Sequence, residues 1–246
     1  METPGATPPD RWPQQGPREW PLGWHVRVVD ETGSTNADLL AAAAAGAPNR
    51  TVLAARHQTA GRGRLDRRWE APPGANLLVS LLFTDVPAVP HELTQRVGLA
   101  AIAAARSATG IEARLKWPND VLVGDEKLAG VLAQGAITGD RRVVVVGIGV
   151  NVGWAPPGAA RVGDGIDPLD VLAAMLRAFD RQPADVWPEY RAHLATIGRS
   201  VRVELADGQV EGRALDVERD GRLVVLDDCG ITHRFDVGDV VHLRPG

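Results

Sequence analysis

Residues 112–150 read EARLKWPNDVLVGDEKLAGVLAQGAITGDRRVVVVGIGV. Four apolar, β-branched runs lie in this stretch, at Glu112–Lys116, Asp120–Val123, Lys127–Gln134 and Arg142–Val150, divided by short Gly/Asp turns. Links this short cannot hold the helix that a parallel crossover needs, so they predict hairpins. Working outward, His25–Asp30 and Thr51–Arg56 read as strands and Asn76–Phe83 as a buried strand. Between them, Ser34, Thr35 and Asn36 offer N-cap oxygens to an Ala/Leu-rich helix over Ala37–Ala45, closed by Gly46 and Pro48. His91–Ala108, ended by Gly110, and further on Leu169–Phe179 and Ala184–Ile197, carry helical periodicity. The expected class is α+β, a mixed or mainly antiparallel sheet flanked by helices.

After Gly198 the texture changes. Ser200–Leu205, Gly208–Val217, Gly221–Asp227, Gly230–Asp236 and Val240–Leu243 are short strands at close turn spacing, which predicts a small β-barrel. The opening segment is rich in Pro and Gly and poor in apolar residues, which suggests a disordered arm. The expected division is an arm over 1–21, a catalytic domain over 22–197 and a C-terminal domain over 198–246.

Three segments concentrate chemistry. Gly61-Arg62-Gly63-Arg64-Leu65-Asp66-Arg67-Arg68-Trp69 gathers positive charge in a chain whose 27 basic and 31 acidic side chains give a net charge of -4. Its two glycines let backbone N–H groups turn toward an anion, and its arginines suit bidentate recognition of carboxylate or phosphate. Taken alone, the same segment also reads as a solvated loop or a nucleic-acid contact. Lys116-Trp117-Pro118-Asn119-Asp120 presents Asn119 and Asp120 at a turn, and the following hairpin is able to bring Lys127 back toward Asp120 in the right register. Gly147-Ile148-Gly149-Val150-Asn151 ends an all-Val strand, where its spaced glycines permit close backbone approach. It is no Rossmann fingerprint, and no P-loop occurs in the chain, so a bound nucleotide requires a different pocket.

The acidic balance argues against sequence-independent binding to a nucleic-acid backbone. The single cysteine, Cys229, permits no internal disulfide and no zinc finger, and fits a reducing cytoplasm. No run is long enough to span a membrane, and no signal-peptide core is evident.

In order, Gly-Ser-Thr-Asn at 33–36, Gly-Arg-Gly-Arg at 61–64, Lys-Trp-Pro-Asn-Asp at 116–120, Lys-Leu-Ala-Gly at 127–130 and Gly-Ile-Gly-Val-Asn at 147–151 resemble the biotin–protein ligase family from about Val28 onward. The resemblance implies a class II synthetase-like catalytic domain followed by an SH3-like domain, and biotin and ATP as substrates, with Mg2+. It implies an ATP-dependent biotin–[acetyl-CoA-carboxylase] ligase whose partner is a biotin carboxyl carrier domain. By position, Ser34, Thr35, Asn36 and Gln58 would surround biotin, with Gly61, Arg62, Gly63, Arg64 and Trp69 closing over it beside Lys127. Arg62, Arg64, Arg67, Trp69, Asn119, Lys127 and Asn151 would face ATP, and Lys127, Arg64 and Asp120 would carry the catalysis. No resident metal site, no DNA and no membrane partner are expected, the repressor domain of some members having no counterpart here. The expected assembly is a monomer or weak homodimer. The family loop commonly has glycine where this chain has Asp66, which puts backbone contacts there in question.

Two rivals follow from the same residues. A lipoate–protein ligase or octanoyltransferase would share the architecture, but its Arg-Arg-x-Ser-Gly-Gly-Gly stretch is missing. A non-enzymatic nucleic-acid binder would use the arginine loop and the barrel, yet the barrel carries Asp207, Glu211, Asp216, Asp227 and Asp228 and no aromatic platform.

Overall fold

The computed structural model describes residues 19–65, 67–205, 208–236 and 238–243. Most of the Pro-rich opening, residues 1–18, together with Asp66 and Asp207, lies outside the described residues.

The first sheet comprises β1 (His25–Thr32), β2 (Thr51–Gln58), β3 (Leu77–Phe83), β4 (Arg114–Lys116), β5 (Asp120–Val123), β6 (Glu126–Thr138) and β7 (Arg141–Val150). Its order is β1-β2-β3-β7-β6-β5-β4. From β2 across to β4 every neighbour is antiparallel, and from β4 to β7 the short turns require it. β1 and β2 are parallel, joined by helix α1 (Thr35–Ala44). This one crossover makes the sheet mixed.

Both faces of the sheet are covered. Helix α1 lies on one, over Leu53, Leu82, Val143 and Val145; α2 (His91–Thr109) lies on the other, where Val79, Leu81, Val144, Val146 and Ile148 belong to the main core. Successive residues of a strand point to opposite faces, so the run Val143–Val146 serves two cores in turn, which is why it shows no alternation in polarity. Gly110, at φ 76°, closes α2 in the left-handed conformation, and Asp167 caps α3 (Pro168–Asp180) by accepting from Leu169 N at 2.8 Å.

Two expectations change. The helix read over Ala184–Ile197 is only α4, Trp187–His193. Beyond it Leu194 bridges to Leu115, and Ala195 N donates to Leu115 O at 2.7 Å, so the free edge of β4 captures the chain as extended backbone. Ser34 occupies the α1 cap position with extended φ and ψ but makes no capping hydrogen bond. The polar side chains at this helix start are directed into the network described below.

The second sheet, β8 (Ser200–Leu205), β9 (Gly208–Val217), β10 (Leu223–Leu226), β11 (Thr232–Phe235) and β12 (Asp239–His242), is antiparallel in the order β11-β10-β9-β8-β12. Val201, Val203, Leu223 and Val225 from it join the main core. Buried Trp117 fastens the two sheets: its indole N–H donates to Gly221 O at 2.8 Å, and its backbone N–H to Thr196 Oγ1 at 3.0 Å. Among the described residues, no helix is long and apolar enough to cross a membrane.

Candidate active site

On the α1 face, cross-strand pairing sets Ser80, Gly147 and Leu132 in one row, and Gly149, Gly130 and Asp120 in the next. Three of these six positions are glycine, so the sheet has a trough where other strands would present side chains. The glycines are required. A Cβ on Gly147 would overlap the amide of Asn36, one on Gly149 would overlap the indole of Trp69, and one on Gly130 would lie 3.1 Å from Lys127 Nζ and 3.2 Å from Trp69 Cζ3. The trough floors a cavity of about 260 Å3.

One end of the cavity is a buried polar chain. Gln58 Oε1 accepts from Thr35 N at 2.8 Å and from Thr35 Oγ1 at 3.0 Å; Thr35 Oγ1 is 2.7 Å from Ser80 Oγ, which is 2.6 Å from Asn36 Oδ1. The Asn36 amide donates to Leu132 O at 3.2 Å and Gln134 Oε1 at 2.8 Å. Two hydroxyl hydrogens serve the three oxygen–oxygen links; when Thr35 donates to Gln58 and Ser80 to Asn36, the Thr35–Ser80 link holds no hydrogen and the Thr35 hydroxyl has acceptor capacity to spare.

The other end is ionic. β5 and β6 pair Asp120 with Gly130 and Val121 with Ala129, but then Leu122 with Lys127. In a regular ladder Lys127 would face Val123 and point away from Asp120; the bulge moves it to the same face. Lys127 Nζ sits 2.6 Å from Asp120 Oδ1 and 5.5 Å from the centre of the Trp69 ring. The Gly/Arg segment folds into a narrow loop, with Arg62 bridged to Arg68 and Gly63 N donating to Arg67 O at 2.7 Å. Arg64 donates to Asn119 Oδ1 at 3.3 Å and to Gly238 O at 3.0 Å. Burial draws the Arg64 guanidinium below its usual range, opposed by Asp239 and Asp120. Arg67 pairs with Asp239.

The cavity therefore brings together Ser34, Thr35, Asn36, Gln58, Arg62, Gly63, Arg64, Arg67, Trp69, Asn119, Asp120, Lys127 and Asn151. Gly61 stays behind the wall, packed against Trp69 O. Asn151 is largely spent on structure: its amide donates to Lys127 O at 3.2 Å and Ala160 O at 3.0 Å, and its oxygen accepts from Asn76. Residues that sequence reasoning missed are Ser80, Gln134, Glu70 and Asp239; Arg68, read only as part of the cationic segment, also lines the cavity. Ser80 left a trace as the one polar residue within Leu77–Phe83; Asp239 left none, since it reaches the cavity from the second sheet. Among the described residues no group of three or more His, Cys, Asp or Glu is placed to hold a metal ion.

A glycine-floored trough with a buried polar end and a cationic end is a place for a small acid bearing a polar head, beside phosphate. Residues 28–151 match the biotin/lipoate A/B protein ligase family and residues 196–243 the biotin protein ligase C terminal domain, and the chain belongs to this family. It is 42% identical over 246 residues to the biotin–[acetyl-CoA-carboxylase] ligase of Mycobacterium tuberculosis, covering 90% of this chain and 91% of that one. It is 29% identical over 233 residues to the bifunctional ligase/repressor BirA of Bacillus subtilis, covering 85% and 72%. Among solved structures, the biotin protein ligase from Aquifex aeolicus in complex with biotin and ATP superposes with a TM-score of 0.74 at 25% identity, covering 90% of this chain and 99% of that chain.

Proposed function

We propose that this protein is a biotin–protein ligase, which activates biotin with ATP and transfers it to a lysine of a biotin carboxyl carrier domain. The observation that carries this reading is the meeting of Arg62, Arg64 and Lys127 with the Thr35–Ser80–Asn36 polar chain in one cavity. The ureido ring of biotin offers two N–H donors and one carbonyl; the spare acceptor in that chain suits one of its N–H groups. The valeryl tail then runs past the Trp69 indole, which lies over the glycine floor, toward Lys127.

In the first step a biotin carboxylate oxygen attacks the α-phosphorus of ATP. The new P–O bond forms as the α–β bridging bond breaks and pyrophosphate leaves. Two anions have to approach, and Lys127, Arg62 and Arg64 offset their repulsion. Mg2+ enters as part of the substrate, on the phosphates: of the three cavity carboxylates, Asp120 and Asp239 are each paired with a cation, which leaves Glu70, too little for an all-protein cage. Trp69 and Asn119 are assigned to the nucleoside and Arg67 to its phosphates, a reading supported by their lining the same cavity. In the second step the acceptor lysine nitrogen attacks the anhydride carbonyl, a C–N bond forms, AMP departs and the amine loses a proton. Asp120, released when Lys127 turns to the phosphate, is the group to receive it.

Residues 22–197 serve as the catalytic domain and 198–246 as the C-terminal domain, with the protein acting as a monomer or weak homodimer. A cytoplasmic location fits ATP-dependent chemistry and a chain whose single cysteine, Cys229, is exposed and free. Titration calorimetry with biotin, then with biotin plus ATP, tests the reading. Tight biotin binding that strengthens with ATP is the expected result; binding of lipoate or octanoate in its place would move the protein to the other branch of the family.

A further inference from the structure

Arg62, Arg64, Arg67, Arg68 and Lys127 line one small cavity, and like charges so close repel one another unless each is held. Asp120 holds Lys127. The second sheet holds two of the arginines: Gly238 O accepts from Arg64 at 3.0 Å, and Asp239 pairs with Arg67. Asp239 is the first residue of β12, paired in register with Glu204, so its backbone is fixed. This contact is not needed to join the sheets, since Trp117 and the shared apolar core already do so. Arg67 is 63% exposed, and an ion pair that wet is weak enough for a polyphosphate to displace.

We propose that Asp239 is a positioning residue for ATP binding: its carboxylate, with the carbonyl of Gly238, keeps Arg67 and Arg64 turned into the cavity, standing in for the phosphates until they arrive. The proposal rests on the ligase reading above. Without the carboxylate, Arg67 is free to swing into solvent, and ATP must then order it on binding. The effect therefore falls on ATP affinity and leaves the chemical step, once ATP is bound, unchanged.

The test uses the full chain with Asp239→Asn and Asp239→Glu. Pyrophosphate release is followed against ATP at saturating biotin, and trypsin cleavage after Arg64 and Arg67 is followed in the free protein. For Asp239→Asn the KM for ATP is expected to rise roughly three- to tenfold with kcat within about twofold, and cleavage to quicken. Asp239→Glu is expected to recover both readouts, and the gap from the parent protein to narrow in high salt, where exposed charges are screened. An unchanged or lowered KM for ATP, or equal losses in the two variants, would overturn the proposal. If Asp239→Asn melts at a lower temperature than the parent, the comparison is made with Arg67→Ala, whose effect on the KM for ATP must be non-additive with it; additive effects would overturn the proposal too. A parent protein that releases no pyrophosphate with biotin and ATP would remove the ligase reading itself, whatever the loop does.

Discussion

Lys127 Nζ lies 2.6 Å from Asp120 Oδ1 because the β5–β6 hairpin is bulged by one residue, which brings both side chains to the cavity face. The pair keeps a cation in the cavity without committing it, since Lys127 is 39% exposed and so exchanges partners at small cost. Removing Lys127 leaves the two reacting anions under-compensated. Lys127→Ala is expected to slow adenylate formation about a hundredfold, the usual loss for a charge-aimed donor at roughly 3 kcal/mol. Biotin-dependent pyrophosphate release measures it, and near-parental release would strip Lys127 of this role.

Asp120→Asn separates the two steps. The amide keeps the shape of the carboxylate but no longer takes a proton, so transfer from preformed biotinyl adenylate to the carrier is expected to slow by about ten- to a hundredfold. Single-turnover transfer, with adenylate supplied ready made, gives the answer. Parental transfer rates would return Asp120 to the adenylation step or to a purely structural part.

Ser80 carries the polar end. With its hydroxyl removed, Thr35 Oγ1 and Asn36 Oδ1 each lose a buried partner, at 2.7 Å and 2.6 Å. Ser80→Ala is therefore expected to cost about 1–3 kcal/mol of folding stability and to weaken biotin binding by at least about tenfold. Urea unfolding and calorimetry report the two effects separately; biotin affinity that stays at the parental level would show that the polar chain does not touch the ligand.

Much of this organisation was readable in the residues. The turn at Gly124-Asp125-Glu126 announced the hairpin, and the spaced glycines of Gly147–Gly149 announced a close approach. The bulge left no mark, because alternation in the stretch Lys127–Leu132 does not show which residue the ladder skips. The β1–α1–β2 crossover was hidden for a related reason: β1 is a half-exposed edge strand and β2 a largely buried one, and neither run of side chains records the direction in which the two pair. The shortness of α4 depends on capture by the free edge of β4, a tertiary event that helical periodicity does not record. Asp239 escaped because a carboxylate in the second sheet becomes a cavity residue only once Trp117 and the core have docked the sheets.

Gly149→Ala tests the floor. The added methyl would overlap the Trp69 indole, whose N–H is buried without a hydrogen-bond partner, so the ring has little to resist displacement. Because Trp69 borders the cationic end, the KM for ATP is expected to rise about tenfold, as remote misplacement of a binding group commonly does. Steady-state kinetics against ATP decide it; a change below about twofold would mean that the indole has no part in holding the nucleotide.

His242 makes the junction of the two sheets sensitive to acid. Its Nδ1 faces Arg199 Nη1 at 3.3 Å and must accept, so the ring hydrogen sits on Nε2 and points to Thr196 Oγ1 at 3.1 Å, the same oxygen that holds Trp117 N. Burial first, then the charges of Lys116 and Arg199, push the imidazole down to about 4 from 6.5, with Asp125 pulling the other way. The unfolded chain takes up this proton first on acidification. The contribution is thus fully present above 6.5, declines as pH falls below that value, and is exhausted once pH passes below about 4. Discounted for a half-buried ring, the loss is roughly 1–2 kcal/mol. Urea midpoints at about pH 7.5 and about pH 4.5 should therefore differ more for the parent protein than for His242→Gln, which has no proton to gain. Carboxylates such as Asp216 and Asp227, also held below their usual range by their partners, add an acid loss common to both proteins, so the difference between the two gaps isolates the histidine. Equal gaps would mean that the ring is already hydrated in the folded state.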